Sequence, residues 1–289
     1  MDLIFVHGRD QQGKDPQELQ VQWETALMKG WKNLGLTRPN NLNIVFPFYG
    51  DELARLVEQL NAPLVSDVTT KGSAPDVNEA AFRGELLEEL ARNAGLTDND
   101  IQVHYSGQPL EKGPLNWEWV QAILKALDNT PIGEASIDLF TRDVYVYLTN
   151  AAVRKKIDKI VAEKFTGKEC IVVGHSLGSV VTYNVLRALG SRASAKRYVT
   201  VGSPLGVKAI QRLLVPPALA MPDGLVGGWF NAYDERDVVA LRPLDDRSFP
   251  VTPPIRNRAE VKNHTENRHG IIGYLDDSEV ARWIYEALT

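Results

Sequence analysis

Short apolar runs alternate with amphipathic stretches along most of the chain, and each of the two patterns predicts one kind of element. The apolar runs predict strands, and stretches with apolar residues three or four positions apart predict helices; the strands are 2–6, 42–46, 169–173, 196–201, 229–233 and 255–263, and the helices are 16–34, 177–190 and 278–288. Strands that alternate with helices are typical of a parallel sheet. We therefore predict an α/β fold, with a mostly parallel sheet and helices on both faces.

The region 51–141 does not follow this alternation. Loops rich in Pro, Gly and Ser, at 62–63, 71–75 and 107–109, surround amphipathic stretches at 78–95 and 114–128. We interpret this region as a helical insertion within one domain that spans residues 1–289, although the length alone would also fit two small domains. Position along the chain leaves open whether the insertion is a cap over a site or a side lobe. A further helical stretch is predicted from Ile137 to Phe165.

The segment 213–222 is apolar and contains three prolines, and glycines follow it at 224, 227 and 228. So many helix-breaking residues exclude a regular helix throughout. Two interpretations stay open: an exposed apolar lid, or a long connection against the core.

Composition narrows the class of protein. The 289 residues are 44% hydrophobic and carry a net charge of −5 with both signs dispersed, which gives no support to nucleic-acid binding. The single cysteine, Cys170, excludes an internal disulfide and is expected to be a buried apolar residue. No metal-ligand spacing is present, so we expect no metal and no cofactor. Without a leader-like start or an apolar tract of about 20 residues, the sequence predicts a soluble, cytoplasmic protein with no transmembrane segment.

The strongest chemical signal is the pentapeptide Gly174-His175-Ser176-Leu177-Gly178, which lies between a predicted strand and a predicted helix. A serine hydroxyl is a poor nucleophile, so it must be presented at a sharp turn where a base can take its proton. Glycines two residues before and after Ser176 remove the side chains that would block such a turn. The strand–turn–helix setting predicts a nucleophile elbow centred on Ser176.

With His7-Gly8 at the end of the first strand, this motif resembles the α/β-hydrolases, specifically the lipase and esterase branch. The resemblance implies an α/β-hydrolase fold in its shorter form, with a sheet that begins at the strand carrying His7-Gly8. It also implies an oxyanion hole made by two backbone N–H groups, those of Arg9 and Leu177.

The same resemblance implies that an acid and then a histidine follow the nucleophile along the chain. Asp237-Val238-Val239-Ala240 matches the pattern of the acid loop after a strand, and Asp234 is the alternative. Of the two histidines that come later, His269 precedes an apolar run and is favoured over His264, which directly follows the last predicted strand.

The expected activity is that of a serine hydrolase which cleaves carboxylic esters through an acyl-serine intermediate. The substrate would be a small-molecule or lipid ester, and peripheral contact with lipid is possible if residues 213–226 form an exposed apolar surface. Two alternatives remain: a thioesterase or acyltransferase with the same three residues, and a catalytically silent hydrolase-like module used for binding.

Overall fold

Six parallel strands form the sheet of this computed structural model, which describes residues 1–66, 76–105, 112–128, 130–240 and 242–289. The loops predicted at 71–75 and 107–109 lie outside the described residues. The strands are β1 (Asp2–Val6), β2 (Asn43–Val45), β3 (Cys170–His175), β4 (Ala195–Val201), β5 (Trp229–Ala232) and β6 (Arg256–Arg258). Their order is β2-β1-β3-β4-β5-β6, and every neighbouring pair is parallel. The predicted α/β class is therefore confirmed.

Helices follow the strands and cover the sheet. Those described are α1 (Pro16–Asn33), α2 (Gly50–Gln59), α3 (Val77–Asn93), α4 (Asp98–Gln102), α5 (Trp117–Leu127), α6 (Glu134–Thr149), α7 (Ala151–Ala162), α8 (Leu177–Leu189), α9 (Lys208–Gln211), α10 (Ile271–Leu275) and α11 (Ser278–Leu288). Short 3₁₀ turns lie at Gly190–Ala193 and Pro204–Gly206.

Both faces of the sheet are buried, because successive side chains of each strand point to opposite sides. Leu3 and Phe5 of β1 pack in one apolar cluster with α1, α10 and α11. Ile4 and Val6 pack in a second cluster with α2, α3, α5, α6, α7 and α8. Strands buried on both faces explain the near-continuous apolar runs in the sequence.

The region 51–141 contributes much of the second cluster. Helices α3, α5 and the first half of α6 place apolar side chains in the same continuous core as β1 and β3. Buried ion pairs add to this packing, since Arg83 of α3 contacts Asp138 of α6 at 2.9 Å and Glu79 at 2.9 Å. The inserted helices are thus fixed to one face of the sheet.

Two predicted elements differ from the structure. The last strand is three residues long rather than spanning 255–263, because β5 is itself short and Glu260 instead forms an isolated antiparallel bridge with Asp234. The helical stretch 137–165 is two helices, α6 and α7, separated at Asn150. Asn150 has an extended backbone, and its side chain accepts hydrogen bonds from the N–H groups of Ala152 and Val153, which starts α7.

The segment 213–222 forms no regular helix, as predicted, and runs along α8. The Tyr183 hydroxyl contacts the Ala220 backbone at 3.0 and 3.1 Å, and Arg187 donates to the Ala218 carbonyl at 2.9 Å. Beyond it, Leu225 pairs with Ala195 at the start of β4. Although Val215 and Val226 are exposed, these contacts favour a connection between β4 and β5 that packs against the core over a lid.

Cys170 is buried in β3, in agreement with the sequence prediction, and burial raises the pKa of its thiol to about 12. None of the helices in the described part of the chain combines the length and the apolar character needed to cross a bilayer.

Candidate active site

Ser176 lies at a tight turn between β3 and α8, with φ 53° and ψ −130°. A non-glycine residue in this region is strained by about 1–3 kcal/mol, so the surrounding structure must hold it there. Two close approaches of the backbone, at Gly174 and Gly178, hold the turn in this conformation. A Cβ atom at Gly174 would lie 2.7 Å from the Cα of Ser179, and one at Gly178 would collide with the carbonyl oxygens of Val6 and His7. The two glycines therefore allow the turn to pack against β1.

The Ser176 hydroxyl faces a histidine. It makes no capping hydrogen bond at the start of α8, although a serine at this position usually does. Its Oγ lies 2.9 Å from Nε2 of His269, in the loop between β6 and α10. The hydroxyl is thus left free of helix capping and within hydrogen-bond distance of an imidazole.

His269 also contacts a buried carboxylate. Its Nδ1 lies 2.7 Å from Oδ2 of Asp237, which follows β5 and is fully buried. Because an ionised carboxylate only accepts hydrogen bonds, Nδ1 carries the proton and the lone pair of Nε2 faces Ser176. The other oxygen of Asp237 accepts the Val239 N–H at 3.1 Å. The structure therefore brings Ser176, His269 and Asp237 into one hydrogen-bonded chain.

Asp234, the alternative acid, lies elsewhere in the network. Its carboxylate accepts hydrogen bonds from the Arg236 guanidinium at 2.7 and 2.9 Å and from the Asn263 N–H at 2.7 Å. Burial alone would raise the pKa of this carboxyl, but the hydrogen bonds from Arg236 and Asn263 outweigh burial and lower it. Asp234 therefore ties the loop after β5 to the segment after β6.

His264, the alternative histidine, is about half exposed, with Nε2 2.8 Å from Oδ2 of Asp276. The hydrogen bonds described above connect neither His264 nor Asp234 to Ser176.

The loop after β1 passes directly beside Ser176. A Cβ atom at Gly8 would lie 2.9 Å from the Cβ of Ser176, so only glycine fits between the loop and the elbow. Arg9 follows Gly8 and lines the cavity next to Ser176, while Leu177 is the first residue of α8. Both residues expected to supply oxyanion donors thus flank the serine, and the N-terminus of α8 adds the partial positive charge of its dipole.

His7 holds this loop, a role that the sequence analysis did not assign. Its Nε2 accepts the Tyr49 N–H at 3.0 Å, so its Nδ1 carries the proton and donates to the Gly8 carbonyl at 2.6 Å. Burial lowers the pKa of His7 to about 4, which keeps the ring neutral. Because the carbonyl of Gly8 and the N–H of Arg9 share one trans peptide plane, fixing the carbonyl also fixes the opposite direction of the N–H.

His175 is a second residue that the sequence analysis left without a role. Its Nε2 donates to the backbone carbonyl of His269 at 2.7 Å, and the two rings lie 4.8 Å apart. Burial and the neighbouring His269 lower the pKa of His175 well below its usual value. A neutral His175 can therefore hold the His269 loop without adding positive charge beside it.

The Arg9 side chain ties the loop after β1 to the inserted region. Its Nε donates to Asp143 of α6 at 3.0 Å, and both side chains are largely buried. Arg142 pairs with the other oxygen of the same carboxylate. The loop after β1 is thus anchored to a helix on the second face of the sheet.

A cavity of about 300 Å³ opens beside Ser176 and His269. One set of lining residues is polar, including Gln11, Lys14 and Gln22, whereas another is apolar and includes Ile132, Phe140 and Val239. Its volume lies at the lower end of the range for ligand sites in proteins. No residue of the segment 213–226 lines this cavity.

Within the described part of the chain, no group of three or more His, Cys, Asp or Glu side chains could hold a metal ion. Comparison of the chain with protein-family models, with curated proteins and with solved structures found no match in any of the three sets. The relation to the α/β-hydrolases therefore remains a resemblance in motifs and their order.

Proposed function

We propose that this chain is a serine hydrolase that cleaves carboxylic esters through an acyl-serine intermediate. The observation that carries the proposal is the hydrogen-bonded chain from Ser176 through His269 to Asp237, beside an open cavity. An esterase needs a nucleophile, a base within hydrogen-bond reach of it and a group that orients the base. A silent binding module has no need of this arrangement.

In the first half of the proposed reaction, His269 accepts the hydroxyl proton as Ser176 Oγ attacks the acyl carbonyl. Asp237 holds the imidazole tautomer and stabilises the positive charge that forms on the ring. The N–H groups of Arg9 and Leu177 receive the oxyanion of the tetrahedral intermediate. His269 then returns its proton to the leaving alcohol, and the acyl group remains on Ser176.

In the second half, water replaces the alcohol. His269 takes a proton from the water as its oxygen attacks the acyl-serine carbonyl, and the same oxyanion donors stabilise the second tetrahedral intermediate. Collapse of this intermediate breaks the bond to Ser176 Oγ, and His269 protonates that oxygen. The products are a carboxylic acid and the free enzyme.

The cavity supports a small ester as substrate. A volume of about 300 Å³ suits a short acyl group better than a long chain, and its walls include both apolar and polar side chains. Phe140 and Ile132 come from the inserted region and cover part of the site, which favours the cap interpretation over the side lobe. The position of residues 213–226 away from this cavity weakens the case for an apolar lipid-binding lid.

The test combines turnover with active-site labelling. The parent is assayed with p-nitrophenyl esters of increasing acyl length and with thioesters of matched length, and it is treated with a fluorophosphonate probe. Ser176→Ala is expected to lower hydrolysis by on the order of a millionfold, as loss of such a serine does elsewhere, and to abolish labelling. Ser191→Ala, which removes an exposed serine at the far end of α8, is the matched control.

Labelling of the parent and of Ser191→Ala, but not of Ser176→Ala, would support the proposal. Faster turnover of thioesters than of oxyesters would redirect it to a thioesterase. A folded parent that neither takes the probe nor hydrolyses any ester would reject it.

A further inference from the structure

Tyr274 contacts the carboxylate that holds His269. It belongs to α10 and its side chain is fully buried. Its hydroxyl lies 2.6 Å from Oδ2 of Asp237, the oxygen that also accepts from His269. Tyr274 does not line the cavity beside Ser176, so it has no direct contact with a bound substrate.

The direction of this hydrogen bond follows from the partners. The Tyr274 oxygen accepts the N–H of Asp234 at 3.2 Å, because a backbone amide only donates. Its own proton is therefore available to Asp237. Burial and the nearby Asp237 charge raise the pKa of Tyr274 well above its usual value, so the phenol keeps its proton. Oδ2 of Asp237 thus receives two donors, His269 and Tyr274.

We propose that Tyr274 is a positioning residue which shares the charge of Asp237 with His269 and thereby sets the pH range in which His269 acts as a base. This inference rests on the proposed function. A second donor on Oδ2 withdraws electron density from the bond to His269, so the carboxylate stabilises the imidazolium less than it would alone. The phenol also fixes the plane of the carboxylate.

Apart from Lys14, the other charged groups near this pair are paired or remain neutral. Asp234 is paired with Arg236, and His175 faces His269 as an uncharged ring. Arg9 is paired with Asp143 and Asp10, while Lys14 lies in the cavity wall. Among the described residues, Tyr274 is the side chain besides His269 that donates to Asp237.

The test is Tyr274→Phe, which keeps the buried ring and removes the hydroxyl. The titration of His269 is followed by NMR of ring-labelled protein, and kcat and KM are measured as functions of pH. Because Oδ2 loses its competing donor, the coupled His269–Asp237 pair binds its proton more tightly, and the titration midpoint and the acidic limb of kcat move up by about 0.5–1 pH unit. At neutral pH we expect kcat to fall about tenfold with KM nearly unchanged.

Tyr147→Phe is the matched control. Its phenol donates to Asp158 at 2.6 Å and is equally buried, but it lies outside the site. Loss of this hydroxyl should cost stability without moving the His269 midpoint. The comparison separates a general effect of losing a buried tyrosine–carboxylate hydrogen bond from a specific effect on His269.

A fluorinated tyrosine at position 274 gives the opposite change and keeps the fold if Tyr274→Phe does not. Its more acidic phenol is a stronger donor, so the midpoint should move to lower pH. Shifts in opposite directions for the two variants would support the inference, and an unchanged midpoint in either folded variant would overturn it. Because the NMR titration needs no turnover, it decides this question even if the parent hydrolyses no ester.

Discussion

The residues around Ser176 leave it a single imidazole partner, because the other nearby histidines already have partners of their own. His7 is held between Tyr49 and the Gly8 carbonyl, and His175 donates to the His269 carbonyl. Both rings are neutral, with His7 buried and His175 partly buried, and their hydrogen bonds hold the backbone around the serine. His269 is therefore the imidazole that faces Ser176 both because it lies close to the hydroxyl and because hydrogen bonds hold His7 and His175 to other groups.

Asp237 and Asp234 should respond differently to removal of their charge. Asp237→Asn replaces the acceptor of the His269 Nδ1–H with an amide that can turn its donor toward the ring, which favours the wrong tautomer. We expect kcat to fall by about 10³–10⁴-fold with little loss of fold. Asp234→Asn should instead lower the thermal midpoint, because it loosens Arg236 and Asn263, and kcat should fall by less than about tenfold.

Steady-state kinetics and thermal unfolding of both variants check this prediction. Equal loss of kcat in the two variants would contradict the assignment of Asp237 as the orienting acid.

Among individual residues, those that belong to a characteristic motif or occur in a characteristic order could be predicted from the sequence. Ser176 is marked by its glycines, and Asp237 and His269 are favoured by their order after it in the family that the motif resembles. Tyr274, His175 and His7 could not be assigned, because each acts on a backbone or side-chain group that only the fold brings close. Tyr274 is 37 residues from Asp237, and His175 is 94 residues from His269.

At the scale of the elements, the adjacency of β1 and β3 places the loop after β1 beside Ser176. Val6 pairs with Gly174, so the loop after β1 and the elbow after β3 leave the same edge of the sheet side by side. The ion pair between Arg9 and Asp143 then fastens the first loop to α6. The inserted region is in this way connected to the loop after β1 as well as to the core.

Arg9→Ala tests whether the backbone N–H or the side chain of Arg9 contributes to the proposed hydrolysis. The variant keeps the N–H that we expect in the oxyanion hole and loses the ion pair, while Arg142 still neutralises Asp143. We expect kcat/KM to fall by less than about tenfold, since removal of an oxyanion donor itself costs about 10²–10³-fold.

Arg55→Ala, which removes an ion pair with Glu52 on the surface, is the control for loss of an arginine. Activity of Arg9→Ala as low as that of Ser176→Ala, measured with the same ester, would mean that the guanidinium takes a direct part.

The elements with strong periodicity were predictable to within about two residues at most ends, as expected for long amphipathic helices and buried strands. The predicted final strand, 255–263, is longer than β6 because the apolar and polar alternation continues beyond the residues that pair with the short strand β5. The break at Asn150 was missed because its extended conformation depends on capping of α7, which helical periodicity does not reveal.

At the scale of the whole molecule, the fold holds His7 and His175 in a neutral form, and its stability should therefore depend on pH. The folded pKa of His7, about 4, lies below the unfolded value of 6.5. The unfolded chain thus binds more protons between these values, and the free energy of unfolding falls as the pH falls through this window. His175 acts in the same direction.

We expect a loss on the order of 2–3 kcal/mol from His7 alone between pH 6.5 and 4.5, beyond the loss due to carboxylates. Urea unfolding of the parent at pH 6.5 and 4.5 measures the total loss in the free energy of unfolding. His175→Gln can still donate to the His269 carbonyl but cannot titrate, so its loss should be smaller than that of the parent.

His264→Gln, which removes an exposed ring, controls for the substitution itself. A free energy of unfolding that is the same at both pH values in the parent would contradict the neutral burial of these rings.

At this largest scale the α/β class and the covering of both sheet faces were predictable, because alternation of elements and doubly buried strands leave clear patterns. How the region 51–141 attaches to the rest of the fold could not be predicted from the sequence. Its amphipathic helices show that they need a partner, but whether that partner is the sheet or another helix depends on contacts such as Arg83 with Asp138, which no local pattern encodes.

The positions of Ser176 and His269 along the chain have a consequence for synthesis on the ribosome. Ser176 can reach its turn once β1, β3 and β4 have emerged, but its partner ring lies 93 residues further along the chain. The same late segment supplies α10 and α11, which cover the first face of the sheet. A nascent chain that ends before residue 269 thus carries Ser176 without its imidazole partner, and the hydrogen-bonded chain is completed only as the last exposed face of the sheet is closed.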